Sequence, residues 1–227
     1  MRTGGVAEAA PASFLGVLER RYATAAPRRK GHRTRERLRI GAARALAERG
    51  YERLRVTDIA ASAGVSAPDF YVHYRNKTDA ALRVLRPFVG LAFRGDPGVP
   101  CLDPADALRR AFARLFTVFR DNSGLVRCLD QLGDEVPRFS VLVESRGRRW
   151  HERVAQYVLR SKSHGASPIR IEPDVAVALA SMTAGMARRI ARDPDMTQDR
   201  LAGLADGMSE IWLRSLKLDA DLSRRSP

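Results

Sequence analysis

Residues 56–74, VTDIAASAGVSAPDFYVHY, constrain the fold more than any other stretch of the chain. Val56, Ile59, Ala60 and Ala63 recur at i, i+3, i+4 and i+7, which puts them on one face of a helix. Gly64 stops that helix. Ser66-Ala67-Pro68-Asp69 opens another: a Ser followed three residues on by an acid is a capping-box pattern, and Pro68 stands in the first turn, where no intrahelical bond needs its amide. Two short helices joined by a tight glycine turn make a helix-turn-helix. By spacing alone such a pair is either a nucleic-acid reading head or plain helix packing.

Placed on a helix at about 100° per residue, the second element divides its own side chains. Phe70 and Tyr74 share one face and read as core, against the Ile59 side of the preceding helix. Pro68 and Val72 lie opposite, Tyr71 and Asp69 flank that outer face, and His73 sits between Asp69 and the buried side. An outward Tyr-Val-Pro face is odd for a solvated helix, and it suits a helix in the major groove, where apolar atoms meet thymine methyl groups. Tyr71 and His73 can donate to phosphates, and so can Lys77 at the start of the next helix, whose free amides add an anion site. For His73 alone, a partly buried imidazole satisfied within the protein is the competing reading.

Charge placement bears on that choice. The chain carries a formal +14, and residues 1–95 hold 19 Lys and Arg against 8 Asp and Glu, while residues 96–227 hold 21 against 18. An excess gathered around the helix-turn-helix is the footprint of a polyanionic partner. Residues 1–32 read as a flexible basic arm in which only FLGVLERRY (14–22) forms a helical turn or two. The run Arg28, Arg29, Lys30, Arg33, Arg35 either enters a minor groove or is a solvated tail adding non-specific attraction.

Other classes fit less well. No apolar run is long enough to span a membrane, the N-terminus lacks a secretory pattern, and 27–35 has no bulky apolar residues for a membrane surface. Cys101 and Cys128 make no metal motif and fit a reducing, cytoplasmic setting, as two small hydrophobes or as a redox pair. The four histidines, His32, His73, His151 and His164, are scattered, and no phosphate loop or metal-ligand set appears. No catalytic residue, cofactor or metal is expected.

The rest of the chain reads as helix, so the expected fold is all-α. A first helix spans 35–49, with Thr34 as N-cap, Gly50 as a left-handed C-terminal residue, and Leu38, Ala42, Ala45 and Leu46 on its apolar face. A fourth runs from Asn76 to about residue 86, to be kinked or ended by Pro87. After the loop GDPGVP (95–100), helical patterns cover 103–121, 123–134, 138–163, 173–192 and 198–217. The expected division is the arm to residue 32, a helix-turn-helix domain over 33–80, a helical domain over 81–220 and a disordered tail over 221–227. Phe112, Phe116, Phe119, Trp150, Val154 and Tyr157 are either the lining of an apolar pocket or ordinary core. Ala180, Ala184 and Ala187 belong to a small-residue face that permits close helix approach, and Leu204, Met208, Ile211 and Trp212 give the last helix a broad apolar face.

Three pieces in order, ERGYE (48–52), VTDIAASAGVS (56–66) and FYVHYRNK (70–77), are similar to the DNA-binding domain of the tetracycline-repressor (TetR) family. The resemblance covers roughly a fifth of the chain. It implies an all-helical homodimer that binds a palindromic operator, most often as a repressor, and lets go when a small ligand enters the C-terminal domain. It makes Thr57, Ala67, Pro68, Tyr71, Val72 and His73 the groove-facing candidates, with Lys77 on a phosphate; Ser66 and, from the basic run, Arg33 and Arg35 complete the expected DNA-binding set. It also implies that the last two helices, with Ala180, Ala184, Ala187, Leu204, Met208, Ile211 and Trp212, form the dimer interface; burial within one subunit is the alternative. Two positions depart from the pattern. Arg55 stands where a Thr or Ser cap is usual and offers a long cation instead; Asp69 replaces a neutral residue. No outward residue of the reading helix is Arg, Lys, Asn or Gln, so the commonest bidentate base contacts are missing from it. Activation, or repression without a ligand, remains open on the same fold.

Overall fold

The structure, a computed structural model, describes residues 13–25, 27–94, 104–162 and 172–222. Ten helices and no strand occur among them, so the fold is all-α as expected. The chain divides into two compact units, Met1–Val84 and Leu85–Pro227.

The first unit opens with a helix where a flexible arm was expected. Helix α1 (Phe14–Thr24) is capped by Ser13, whose Oγ accepts from the Gly16 amide. It buries Phe14 and Leu18, one turn apart, against α2 (Lys30–Arg49). Two large side chains at i and i+4 dock this short element, which has too little propensity to persist alone. Helix α2 starts at Lys30, not at Arg35. Thr34 is therefore not its cap; it lies inside the helix and donates to the Lys30 carbonyl. Leu38, Ala42, Ala45 and Leu46 are buried as their periodicity required. Gly50 follows at φ 77° and ψ 169°, a positive-φ conformation other than the left-handed helical one expected. Residues 1–12 of the expected arm lie outside the described residues.

Helix α3 (Val56–Ala63) ends at Gly64, which does adopt left-handed geometry (φ 63°, ψ 43°). Its start is half-capped: the Arg55 amide donates to Asp58 Oδ2 at 3.1 Å, but a guanidinium has no acceptor to return the bond. Helix α4 (Ala67–His73) carries the full reciprocal box. The Asp69 amide donates to Ser66 Oγ, and the Ser66 amide and hydroxyl donate to Asp69 Oδ2. Helices α2 and α3 meet at Gly41, where a Cβ would stand 2.9 Å from both the Ala63 nitrogen and the Ile59 oxygen. Helix α5 (Lys77–Ala92) belongs to both units, Val84 ending the first and Leu85 opening the second. Asn76 Oδ1 accepts from the Asp79 amide at its start, and the helix does not end at Pro87 but continues to Ala92.

The second unit contains α6 (Pro104–Asp121), α7 (Ser123–Glu135), α8 (Pro137–Lys162), α9 (Pro173–Arg192) and α10 (Gln198–Leu222), close to the expected spans. Helix α6 packs against α8, α9 and α10, and α7 against α8 and α9. Phe112 of α6 is the hub of an aromatic cluster, with Phe116, Trp150 and Trp212 at 6.0, 5.8 and 5.5 Å between ring centroids. Residues 95–103 and the tail 223–227 lie outside the described residues.

Candidate nucleic-acid interface and cavity

Helix α4 is anchored on one side and bare on the other. Phe70 is fully buried and Tyr74 nearly so, and the Tyr74 hydroxyl donates to the Arg35 carbonyl of α2. Burial pushes the Tyr74 phenol above its ordinary pKa, so it stays a neutral donor. Opposite, Tyr71 is 60% exposed and Val72 77%, and Pro68 and Asp69 are exposed too. Ala67 and His73 are half-buried at the edges. Tyr71 is not loose: its ring stands edge-on to Phe70, 5.3 Å between centroids. Large apolar groups on a solvated helix face cost free energy unless something covers them, and here the packing beneath holds them in place.

The cations around this face are placed by helix. Arg28, Arg29, Lys30, Arg33 and Arg35 are all exposed, and those from Lys30 on lie in the first turns of α2. Residues 30–35 are thus helical where a mobile basic run was expected. Asp69 reports where this segment lies. Its carboxyl is held below the usual range chiefly by the Ser66 hydroxyl and amide, with His73 and Lys30 adding attraction. The α2 start and the α4 start are thus neighbours in one field. Arg55 and Thr57 are exposed at the start of α3, and Ser66 at the start of α4.

Lys77 differs from expectation. Its ammonium donates to the carbonyls of Tyr51 and Glu52, at 3.4 and 3.3 Å, and lies 4.8 Å from the Tyr51 ring centroid. It ties the start of α5 to the turn after α2 instead of standing free for a phosphate. Arg37, which no sequence motif singles out, donates to the Gly64 carbonyl at 3.0 Å and braces the helix-turn-helix turn from α2.

In the second unit a cavity of about 870 Å³ lies among α6, α7, α8, α9 and α10. Leu115, Phe119, Leu129, Ala155 and Leu179 form apolar wall; Ala176, Ala180 and Ala184 line it from α9. Of the six expected pocket residues, only Phe119 lines it. Phe112, Phe116 and Trp150 are spent in the aromatic core, Val154 is half-buried elsewhere and Tyr157 is exposed. His151 and Trp212, neither of them expected there, belong to the wall. His151 is 8% exposed, stacks on Trp212 with ring centroids 5.7 Å apart and meets Trp150 edge-on at 5.1 Å. Neither ring nitrogen makes a hydrogen bond of ordinary geometry, although the Gly147 carbonyl lies near enough to draw on one of them. Burial lowers its pKa to about 4, against a small opposing pull from the Gly147 carbonyl, so the imidazole is neutral.

The expected dimer residues divide as well. Ala187, Met208 and Trp212 are buried inside this unit, Trp212 donating to Thr183 Oγ1, which is the burial within one subunit that the sequence left as the alternative. Ala180 and Ala184 face the cavity and Leu204 is half-buried; Ile211 stays 44% exposed. A different stripe is open: Ala178, Ser181 and Gly185 on α9, with Ala202, Gly203 and Gly207 on α10. Cys128 is buried and donates to the Gly124 carbonyl, and Cys101 lies outside the described residues. Among the described residues no helix is long and apolar enough to cross a membrane, and no group of three His, Cys, Asp or Glu is placed to hold a metal.

Residues 40–84 match the family model described as bacterial regulatory proteins, tetR family. Over 181 residues the chain is 25% identical to the HTH-type transcriptional regulator EthR of Mycolicibacterium smegmatis, covering 77% of this chain and 82% of that protein. The structure of MexZ, a repressor responsible for antibiotic resistance in Pseudomonas aeruginosa, superposes with a TM-score of 0.59 at 23% identity, covering 81% of this chain and 94% of that one. AibR, solved with isovaleryl coenzyme A and operator DNA, gives 0.58 at 16% identity, with 77% and 97% covered. At these identities the two structures establish a shared fold.

Proposed function

We propose that this chain, a DNA-binding transcriptional regulator of the tetR family, represses transcription from a palindromic operator that it binds as a homodimer, and releases it when a small molecule occupies the cavity of the second unit. The observation that carries the reading is the two-sidedness of α4: Phe70 and Tyr74 locked below, Tyr71 and Val72 bare above, with the cations of α2 alongside.

In this reading α4 enters the major groove. Val72 and Pro68 meet thymine methyl groups, and the Tyr71 hydroxyl and His73 donate to phosphates. Arg33, Arg35 and the N-terminal cations supply the salt-sensitive part of the affinity. With no Arg, Lys, Asn or Gln facing outward on α4, discrimination comes from methyl contacts, from Arg55 and Thr57 at the head of α3, and from DNA shape. Two copies joined along the open stripe of α9 and α10 present two such heads. Gly185, Gly203 and Gly207 have nothing within 4 Å of where a Cβ would be, so another helix can approach closely, and Ile211 supplies a larger apolar contact beside them. A ligand acts on such a dimer only through different affinities for its operator-bound and free forms. AibR, whose fold this chain shares, was solved with both an acyl-coenzyme A and operator DNA, and MexZ is described as a repressor; the same pairing of cavity and reading head supports the reading here.

Selection of bound fragments from a random DNA pool tests it. The expected product is an inverted repeat whose half-site centres lie about one helical turn, or a multiple of it, apart. Tyr71→Ala should lose the preference while keeping its helical content. Enrichment of sequences without two-fold symmetry would defeat the dimer, and no enrichment at all would defeat the regulator.

A further inference from the structure

We propose that His151 is the hydrogen-bonding anchor of the cavity, and that the cavity takes an uncharged, largely apolar molecule carrying one hydrogen-bonding head group. This rests on the ligand-responsive reading above and narrows the class of ligand.

The wall explains the apolar body. Leu115, Phe119, Leu129, Ala155 and Leu179 surround a space of about 870 Å³, within the range of small-molecule sites. The polar groups of that wall are not equivalent. Thr183 is engaged twice: its hydroxyl donates to the Leu179 carbonyl and accepts from Trp212 Nε1. Glu144, Arg148, Glu152 and Arg188 are exposed residues, already solvated. His151 alone among these is buried without a hydrogen bond of ordinary geometry: the Gly147 carbonyl draws on one ring nitrogen, and the other is left without a partner. A buried polar group without a partner is costly, and a ligand that supplies the partner recovers that cost on binding. The His151 residue lines the cavity while its ring nitrogens are out of reach of solvent, so an occupant meets one of them only when the ring turns about its Cβ–Cγ bond. Trp212 stacked on one side and Trp150 edge-on on another fix where the ring can go.

The surroundings of His151 do not favour a charged head group there. Burial keeps the imidazole neutral, and the charged residues of the lining, Asp130, Glu144, Arg148, Glu152 and Arg188, are all exposed, so a charged group would find its partner at the solvent side of the cavity and not beside His151. A hydroxyl suits the site, since a neutral imidazole has one nitrogen that donates and one that accepts.

The chain's two tryptophans, Trp150 and Trp212, both touch the His151 ring, so tryptophan emission reads occupancy directly. The probes are 1-octanol, octane, octanoate and octylammonium, titrated into the full chain and into His151→Phe, which keeps the stacked ring, and His151→Gln, which keeps a neutral donor and acceptor. We expect octanol to bind at least roughly tenfold more tightly than either charged probe. The octanol-to-octane affinity ratio should fall about fivefold to tenfold in His151→Phe and be largely kept in His151→Gln. A tighter octanoate or octylammonium complex, an unchanged ratio in His151→Phe, or no binding by any probe would overturn the proposal. Operator binding by the same samples without probe reports separately on the regulator reading, so the two can fail independently.

Discussion

Replacing Gly41 with alanine should destabilise the first unit, although alanine is the better helix former. Gly41 sits inside α2 where it meets α3, and the added methyl would lie 2.9 Å from the Ala63 nitrogen and the Ile59 oxygen, and 3.1 Å from the Ala63 Cβ. Two of those three atoms are backbone and cannot rotate aside. The helices must separate by about half an ångström to restore ordinary spacing at 3.4 Å. Overpacking of this kind costs about 1–3 kcal/mol, and the gain in helix propensity returns up to about 1 kcal/mol. The net loss is up to about 2 kcal/mol, or up to roughly 15 °C in Tm for a unit of this size. Gly31 supplies the opposite control: it is in the first turn of the same helix with nothing within 4 Å of its Cβ position, so Gly31→Ala should stabilise by up to about 1 kcal/mol. Thermal unfolding followed by circular dichroism gives both shifts. Tryptophan emission monitors the second unit, which holds both tryptophans. A Gly41→Ala protein as stable as the parent, or more so, would mean that α2 and α3 do not meet as closely as described. Because α3 leads directly into α4, the same variant should also bind a selected operator more weakly.

Phe70→Ala and Tyr71→Ala should part company: the first removes a fully buried ring and costs about 3–5 kcal/mol of stability, while the second leaves Tm nearly unchanged and weakens operator binding. Gel-shift and melting data on the pair check this, and a Tyr71→Ala variant with unchanged affinity would remove α4 from the interface. Arg33→Ala with Arg35→Ala should lower the slope of log affinity against log salt by about one unit for each phosphate that is no longer neutralised, measured by fluorescence anisotropy; an unchanged slope means those cations do not touch DNA. For His151, the folded pKa of about 4 lies below the ordinary 6.5, so between those values the unfolded chain takes up a proton that the folded one refuses. Its contribution is constant above pH 6.5 and declines as pH falls to about 4, by on the order of 3 kcal/mol in total. Urea melts across that window should show a shallower decline for His151→Phe, and parallel curves would mean the histidine is not buried neutral.

What is legible in the sequence follows from which signals are local. Periodicity with strong boundaries locates α3, α4 and the five helices of the second unit, because Gly64, the Ser66–Asp69 box, Pro104 and Pro173 act on their own neighbours. Helix α1 is harder to see because its order depends on Phe14 and Leu18 reaching α2, a meeting no local rule contains. Lys77 reads as a phosphate ligand from sequence because its distance from the Tyr51 and Glu52 carbonyls is a tertiary fact. The second unit shows the limit most clearly. A period of 3.6 says that one stripe of α10 is covered but not by what, so Met208 and Trp212, covered from within, look like an interface. Small residues are ambiguous in the same way. Ala180 and Ala184 allow a neighbouring helix to come close, but where the neighbour is held off by other packing the same small side chains leave space, and here they line a cavity. The one sequence trace of that cavity's polar group is a histidine four residues after Gly147, on the edge of the apolar stripe through Trp150 and Val154. A polar residue on such a stripe demands a partner. Asking what partners His151 leads to the cavity, whereas asking which residues are most apolar leads to the aromatic core beside it.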